Sequence, residues 1–243
     1  MTIRSVSVGG LMAVGLAGCS SGTSEDTQAV LAWNRTVWTD QHGRQVMHRG
    51  MNLNNAAKSN PDHLHGMTDD ELQLLVDHGV SLVRYLVFWN ALEPEQGALD
   101  QVYIDSVVED IGRVTGLGID VVVDMHQDVY GEGFGHAGMP TWTCAESYYE
   151  TYDPAPGAWW SGYITEEVQA CFDGFWADED LQDAYGDAFG ELAANIVAAD
   201  DGGVVAFEVM NEPFWGTLEN TEFETEILPA FYISVASKLP SDR

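Results

Sequence analysis

Apolar runs of strand length alternate along most of the chain with segments of helical periodicity. The run Val80–Trp89 is interrupted only by Ser81, Arg84 and Tyr85, which is typical of a strand buried on both faces. Comparable runs predict three more strands, at Arg49–Leu53, Ile119–His126 and Val204–Met210. Strands of this kind are typical of a parallel sheet that is covered by helices.

The segments between these strands repeat apolar residues every three or four positions. Thr68 has the spacing of a capping box, because Glu71 follows three residues later, and Gly79 ends the helix that it begins. Similar periodicity predicts helices around Ile104–Ile111, Leu181–Ile196 and Glu224–Lys238.

Two segments depart from this alternation. Trp33–Trp38 and Gln45–Asn52 flank a turn-rich break and predict a hairpin that runs into the first strand. The segment from Gln127 to Asp180 is rich in Gly, Trp and Tyr and is too long for an ordinary connection. We therefore expect a functional loop with short helices inside it.

Strand–helix alternation fits either a (β/α)8 barrel or a doubly wound parallel sheet. Neither of the glycine-rich phosphate loops that favour the second fold follows a predicted strand. The stretch Gly131–Gly135 is rich in glycine, but it precedes no predicted helix and contains no basic residue. The pattern therefore predicts an α/β fold, a (β/α)8 TIM barrel, with only about the first four βα units present in this chain.

The N-terminal segment predicts export. An apolar run that ends at Gly18 is too short to span a bilayer, so residues 1–18 indicate a cleaved signal. The residues before Cys19 resemble a lipoprotein processing box, in which that cysteine carries the lipid; plain secretion is the alternative. The remainder divides into a polar tether at residues 19–29 and a barrel segment at residues 30–243.

The net charge of the chain excludes some classes of binding partner. The 243 residues include 39 acidic and 9 basic side chains, a formal charge of -30. Such a surface repels nucleic acid and anionic lipid, so nucleic acid is excluded as a partner and a membrane contact is expected only through the N-terminal anchor. The excess of acidic residues is typical of proteins from high salt and equally of ordinary acidic secreted enzymes.

Cysteine and histidine usage predicts a disulfide and no metal site. Cys144 and Cys171 share the long loop segment and are disulfide candidates in an oxidising compartment; two unrelated thiols are the alternative. His63 and His65 resemble a metal-binding pair but have no third ligand nearby in the sequence. No cofactor is expected.

Polar residues that could take part in binding or catalysis follow the carboxyl ends of all four predicted strands: Asn52, Asn90, His126, Asp128, Asn211 and Glu212. In a barrel these ends converge on one mouth, where polar residues are typically catalytic. Asn211-Glu212-Pro213 alone is a weak signal, since a turn with a solvated glutamate explains it equally well. Its position after an apolar strand, with Arg84 and His126 on neighbouring strands, favours function.

Together these residues resemble glycoside hydrolase family 5, the cellulase-like family of retaining glycosidases, over roughly Arg49–Lys238. The Asp124–Asp128 run, the Ala57–Ser59 tripeptide and Cys171–Trp176 resemble its endoglycoceramidase branch. Enzymes of that branch cleave the β-glycosidic bond between glycan and ceramide. The resemblance implies a glycolipid or β-linked glycan as substrate.

The resemblance also implies roles for individual residues. Glu212 would be the general acid and then the general base, which requires a pKa raised by burial and a nearby carboxylate. Asn211 would bind the sugar 2-hydroxyl, and Arg84 would hold and tune the nucleophilic carboxylate. Sugar hydroxyls would be bound by Lys58, His126 and Asp128.

Loop aromatic residues are candidates for substrate contact. Trp142, Trp159 and Trp160 offer rigid apolar surface that stacks on sugar rings or accepts lipid. The alternative, that they only pack the loop on the barrel, is equally open.

The resemblance places the nucleophile on a seventh strand, beyond the four units predicted here. A retaining enzyme needs that second carboxylate, so we expect the chain alone to be inactive. Two alternatives remain: a β-glucanase or β-glucosidase of the same family, including one for simple or steryl glucosides, and a non-catalytic carbohydrate-binding truncated protein or gene fragment.

Overall fold

The computed structural model describes residues 42, 44–53, 55–199 and 202–241. The chain divides into two compact units, residues 1–47 and 48–243, and the fold below is that of the second unit. The predicted export signal, the tether with Cys19 and the segment Trp33–Trp38 lie outside the described residues.

Four parallel strands form one sheet in the order β1-β2-β3-β4. They are β1 (Gly50–Leu53), β2 (Leu82–Val87), β3 (Asp120–Met125) and β4 (Val204–Glu208), each within a predicted apolar run. Each of β2, β3 and β4 lies beside the strand before it in the chain, and a helical connection joins the two, which is the topology of consecutive strands in a (β/α)8 barrel. The predicted partial barrel is confirmed.

The helices follow the predicted periodicity. They are α1 (Asp69–Asp77), α2 (Trp89–Leu92), α3 (Gln101–Gly116), α4 (Glu146–Thr151), α5 (Glu166–Ala177), α6 (Glu179–Ala199), α7 (Asn220–Glu222) and α8 (Leu228–Lys238). The capping box is present, because Thr68 accepts from the Glu71 backbone and the Glu71 side chain accepts from the Thr68 backbone. A π-helix, Phe223–Ile227, precedes α8, so the last predicted helix is only partly α-helical.

The core lies between the sheet and the helices. Alternation along β2 and β3 buries one face of the sheet, for example at Val83, Tyr85, Val121 and Val123. Each fully buried aliphatic side chain stabilises the fold by about 1.5–3 kcal/mol. The opposite face carries the polar residues of these strands.

A bulge between β3 and β4 decides which β4 side chains reach that polar face. Val121 pairs with Val204, but the next residue, Val122, pairs with Ala206, so β4 has one extra residue at this point. As a result Glu208 lies opposite Asp124. A shift of one residue exchanges the two faces of a strand, so the bulge turns Glu208 away from the core.

The connection between β3 and α6 contains α4, α5 and three short 3-10 helices, Glu132–Phe134, Thr141–Thr143 and Trp159–Ile164. A disulfide joins Cys144 to Cys171, with a Cα–Cα distance of 5.5 Å. It ties the end of the 3-10 helix Thr141–Thr143 to α5, and such a bond is typical of proteins in oxidising compartments. Within the described ranges, no helix is both long and apolar enough to cross a membrane.

Candidate active site

Side chains of alternating charge cross the polar face near the carboxyl ends of the strands. Each contacts the next, from β4 through β2 and β3 to the connection after β1: Glu208, Arg84, Asp124, His126, Asp128 and Lys58. When His126 is protonated, neighbours carry opposite charges, and each group stabilises the ionised form of the next. We call this set the ion-pair chain.

Arg84 is its most connected member. The Arg84 guanidinium donates from Nε to Glu208 Oε2 at 2.6 Å and from Nη2 to Glu208 Oε1 at 2.8 Å. Nη2 also lies 2.9 Å from Asp124 Oδ2 and 2.9 Å from Asn211 Oδ1. Burial disfavours the charged guanidinium, but the bond to Glu208 and the charges of Asp124, Glu208 and Glu212 outweigh it, so the pKa of Arg84 is raised.

His126 lies between two carboxylates. Its Nδ1 is 2.7 Å from Asp124 Oδ2, and its Nε2 is 3.4 Å from Asp128 Oδ2, a distance that fits an ion pair better than an aligned hydrogen bond. Burial lowers the pKa of His126, yet the two carboxylates outweigh burial and the pKa is raised. Asp124 has no exposed side-chain surface, and its burial raises its pKa in spite of His126 and Arg84.

Lys58 completes the ion-pair chain. It ends the 3-10 helix Asn55–Lys58, which follows β1, and its Nζ lies 2.7 Å from Asp128 Oδ2. Burial raises the pKa of Asp128, but His126 and Lys58 outweigh it and the pKa is lowered. The predicted sugar-binding residues Lys58, His126 and Asp128 thus lie next to one another. Together they offer hydrogen-bond donors and an acceptor within a small area.

Gln127 holds the turn that carries Asn211 and Glu212. Its buried side-chain nitrogen donates to the Asn211 and Glu212 carbonyls, both at 2.9 Å. In return the Asn211 side-chain nitrogen donates to the Gln127 carbonyl at 2.9 Å. Glu212 has a φ of 43°, a left-handed conformation that is uncommon outside glycine and concentrates at functional sites.

The Glu212 side chain is exposed. The burial that we expected around this carboxyl group is therefore lacking in the described part of the chain. Burial first, and then the charges of Asp128 and Glu212, raise the pKa of the Tyr163 hydroxyl to about 12.

The three candidate tryptophans differ in their surroundings. Trp142 donates from its ring nitrogen to the Glu93 carbonyl at 3.0 Å and packs edge-on against Trp89, so it holds the loop on the barrel. Trp159 and Trp160 are 55% and 59% exposed. Only Trp159 of these two lines a cavity of about 430 Å³, together with Phe134, His136, Tyr152, Pro154, Ala155, Pro156, Gly157 and Ala158.

His136 lines this cavity and lies one residue from a backbone contact with Asp128, a member of the ion-pair chain. Burial lowers the pKa of His136, while the nearby charges of Asp128 and Lys58 act in opposite directions. The backbone beside it is fixed, because the Asp128 amide donates to the Ala137 carbonyl at 3.0 Å. Trp159 forms part of the wall of the same cavity.

The paired histidines bind separate partners. His63 Nε2 lies 3.3 Å from the Asn90 side-chain nitrogen, whereas His65 Nε2 lies 2.7 Å from buried Asp110. Among the residues with described positions, no group of three or more His, Cys, Asp or Glu side chains could hold a metal ion.

Two residues of the site were missed by sequence reasoning. The first is Glu208, an acidic residue within the apolar β4 run. An arginine on a buried strand, such as Arg84, needs an acidic partner, and this requirement is the signal that could have identified Glu208. Gln127 lies inside the recognised run Asp124–Asp128, but a backbone clamp leaves no sequence signal of its own.

Sequence comparison shows the family of this chain. The profile of a family described as cellulase (glycosyl hydrolase family 5) matches residues 39–229, more than three quarters of the sequence. The chain belongs to glycosyl hydrolase family 5. The resemblance found in the sequence is confirmed.

The chain is also similar to proteins named endoglycoceramidases. The chain is 31% identical over 185 residues to endoglycoceramidase I of Rhodococcus hoagii (strain 103S), and the match covers 75% of this chain and 36% of the relative. It is 26% identical over 207 residues to the endoglycoceramidase of Cyanea nozakii, with 74% and 40% covered. The chain thus spans little more than a third of the length of these relatives.

Comparison with solved structures supports the same relationship. Endo-glycoceramidase II from Rhodococcus sp. superposes with a TM-score of 0.75 at 33% identity, over 85% of this chain and 48% of that protein. An endogalactoceramidase structure superposes with a TM-score of 0.70 at 23% identity, which supports the fold alone. The described strands therefore correspond to part of a family 5 barrel.

Proposed function

We propose that this chain is the acid/base-bearing part of a retaining β-glycosidase that cleaves the glycan–ceramide bond of glycosphingolipids. The observation that carries the proposal is the Asn211–Glu212 turn, which Gln127 clamps at the end of β4 beside the ion-pair chain. The endoglycoceramidase relatives support the substrate class, and one structure of the Rhodococcus sp. enzyme is described as a ganglioside GM3 complex.

In this proposal Glu212 protonates the glycosidic oxygen as the bond to ceramide breaks, and then removes a proton from the attacking water. Asn211 donates to the sugar 2-hydroxyl, a contact that strengthens as positive charge develops on the sugar ring. Lys58, His126 and Asp128 bind the remaining hydroxyls.

Retention requires a second carboxylate about 5–5.5 Å from the acid. Asp124 is a poor candidate because its side chain is fully buried, and Glu208 is a poor one because both of its oxygens already accept from Arg84. We therefore propose that the nucleophile comes from residues outside this sequence, and that Arg84 tunes that carboxylate when it is present.

A ganglioside assay tests this proposal. We expect the 243-residue chain to release no glycan from a fluorescent ganglioside. A protein in which the chain is completed to eight strands with the matching part of the R. hoagii relative should release it with retained anomeric configuration, because both carboxylates are then present. Hydrolysis by the chain alone would show that it contains its own nucleophile. An inverted product from the completed barrel would refute the retaining mechanism.

The cavity beside His136 favours a substrate with an extended glycan over a simple β-glucoside. A cavity of about 430 Å³ is large enough for a small ligand, and its aromatic wall suits a sugar ring. We expect Trp159→Ala to weaken binding of lactose or a longer glycan about five- to tenfold, since one aromatic contact contributes about 1 kcal/mol.

Trp160→Ala is the matched control, because Trp160 has a similar exposure but does not line the cavity. Its affinity for lactose should equal that of the unmodified chain in an NMR titration. Equal losses in the two variants would reject the cavity as a glycan site. Equal binding of glucose and lactose would instead favour the β-glucosidase alternative.

A further inference from the structure

Glu208 is bound to Arg84 at two points. It ends β4, and the bulge beside Val205 turns it toward Asp124 and away from the core. Both of its carboxylate oxygens accept from Arg84, at 2.6 and 2.8 Å. Bulges of this kind occur often beside active sites, where they redirect one side chain.

A contact through two nitrogens constrains the orientation of a guanidinium group as well as its distance from the carboxylate. A carboxylate that accepts from both Nε and Nη2 fixes the plane of the guanidinium, whereas a contact through one nitrogen leaves the group free to turn. The other partners of Arg84, Asp124 and Asn211, both contact Nη2. Among the described contacts, only Glu208 binds two nitrogens of Arg84.

The Asn211 amide is held by Arg84 at its oxygen and by the Gln127 carbonyl at its nitrogen. Asn211 Oδ1 accepts from Arg84 Nη2, so its Nδ2 must point to the opposite side. One Nδ2 hydrogen is donated to the Gln127 carbonyl. Among the described contacts the second hydrogen has no acceptor, so it remains for a ligand oxygen.

We propose that Glu208 is a positioning residue that acts through Arg84 to orient the Asn211 amide toward the sugar 2-hydroxyl. This inference rests on the proposed function for its ligand, but the geometry from Glu208 to Asn211 stands without it. Glu208→Gln tests it, because an amide offers one acceptor in place of two and its NH2 group would face Arg84.

The experiment uses the 243-residue chain and two probes, methyl β-lactoside and its 2-deoxy analogue at the glucose ring. NMR titration should show that Glu208→Gln and Asn211→Ala each weaken lactoside binding about three- to tenfold, the value of one hydrogen bond. The double variant should bind no more weakly than either single variant, because both changes remove the same contact. Affinity for the 2-deoxy probe should stay unchanged in all three.

A purely structural role predicts other results. Additive losses in the double variant, or equal losses for both probes, would overturn the proposal. Glu224→Gln removes the same charge from an exposed position on the π-helix and should leave binding of both probes unchanged. Melting curves of all variants provide a check on folding.

A ligand-free measurement separates this proposal from the proposed function. In ¹⁵N spectra, Glu208→Gln should move the Arg84 Nε–H and the Asn211 side-chain NH2 resonances, whereas Glu224→Gln should move neither. Unmoved Asn211 resonances would overturn the positioning role. If the unmodified chain binds neither probe, the glycan-binding function fails and the spectra still decide the role of Glu208.

Discussion

Glu212→Gln is expected to slow cleavage of a natural glycolipid by about 10²–10⁴-fold in the chain completed to eight strands, because an amide cannot donate the proton that the leaving oxygen needs. The loss should depend on the leaving group. A 2,4-dinitrophenyl β-lactoside expels an anion that is stable without a proton, so the first step should remain near the unmodified rate.

The second step distinguishes acid/base loss from misfolding. In the proposed mechanism the glycosyl-enzyme needs Glu212 to activate water, so the activated substrate should give a burst of dinitrophenol followed by slow turnover. Azide attacks without a base and should restore turnover. Absorbance kinetics with Glu224→Gln as the charge control check this, and equal slowing on both substrates would show that Glu212 is not the acid.

The strands and the positions of the polar residues could be predicted because both depend on local pattern. Parallel strands of a barrel share one catalytic end, so Arg84, His126 and Glu212 fall near one another once their strands are recognised. The family resemblance then supplied roles that spacing alone could not.

Contacts that depend on strand register could not be predicted. With regular pairing from Val121 and Val204 onward, Asp124 would face Phe207, and Glu208 would lie with the core residues. The bulge reverses this, and no residue type in β4 marks it. Arg84 required an acidic partner, but which carboxylate it binds became clear only from the sheet.

The neighbouring tryptophans illustrate a similar limit. Trp159 and Trp160 lie in a 3-10 helix, where successive side chains point about 120° apart, so adjacent residues reach different surroundings. The sequence treats them as equivalent. Their placement makes Trp159 part of the cavity and leaves Trp160 available as its control.

Arg84→Ala is expected to lower the free energy of unfolding by about 3 kcal/mol, because removing one partner leaves a buried charge uncompensated. The Asp124 side chain is 0% exposed and would retain only His126 among its ion-pair partners. Glu208 is 39% exposed, so water can hydrate it when Arg84 is removed. The expected loss of unfolding free energy is therefore at the lower end of the range for a broken buried ion pair. Urea unfolding of the 243-residue chain measures this change in the free energy of unfolding.

Two further variants make this result specific. Arg49→Ala removes an exposed arginine whose side chain donates to the His78 carbonyl at 3.2 Å, and should lower stability by at most about 1 kcal/mol. Asp124→Asn in the Arg84→Ala background should recover part of the loss, because a neutral amide needs no counter-charge. If Arg84→Ala is as stable as Arg49→Ala, the ion-pair chain does not stabilise the fold. In that case its alternating charges serve to orient Asn211, His126 and Lys58 for a ligand rather than to stabilise the sheet.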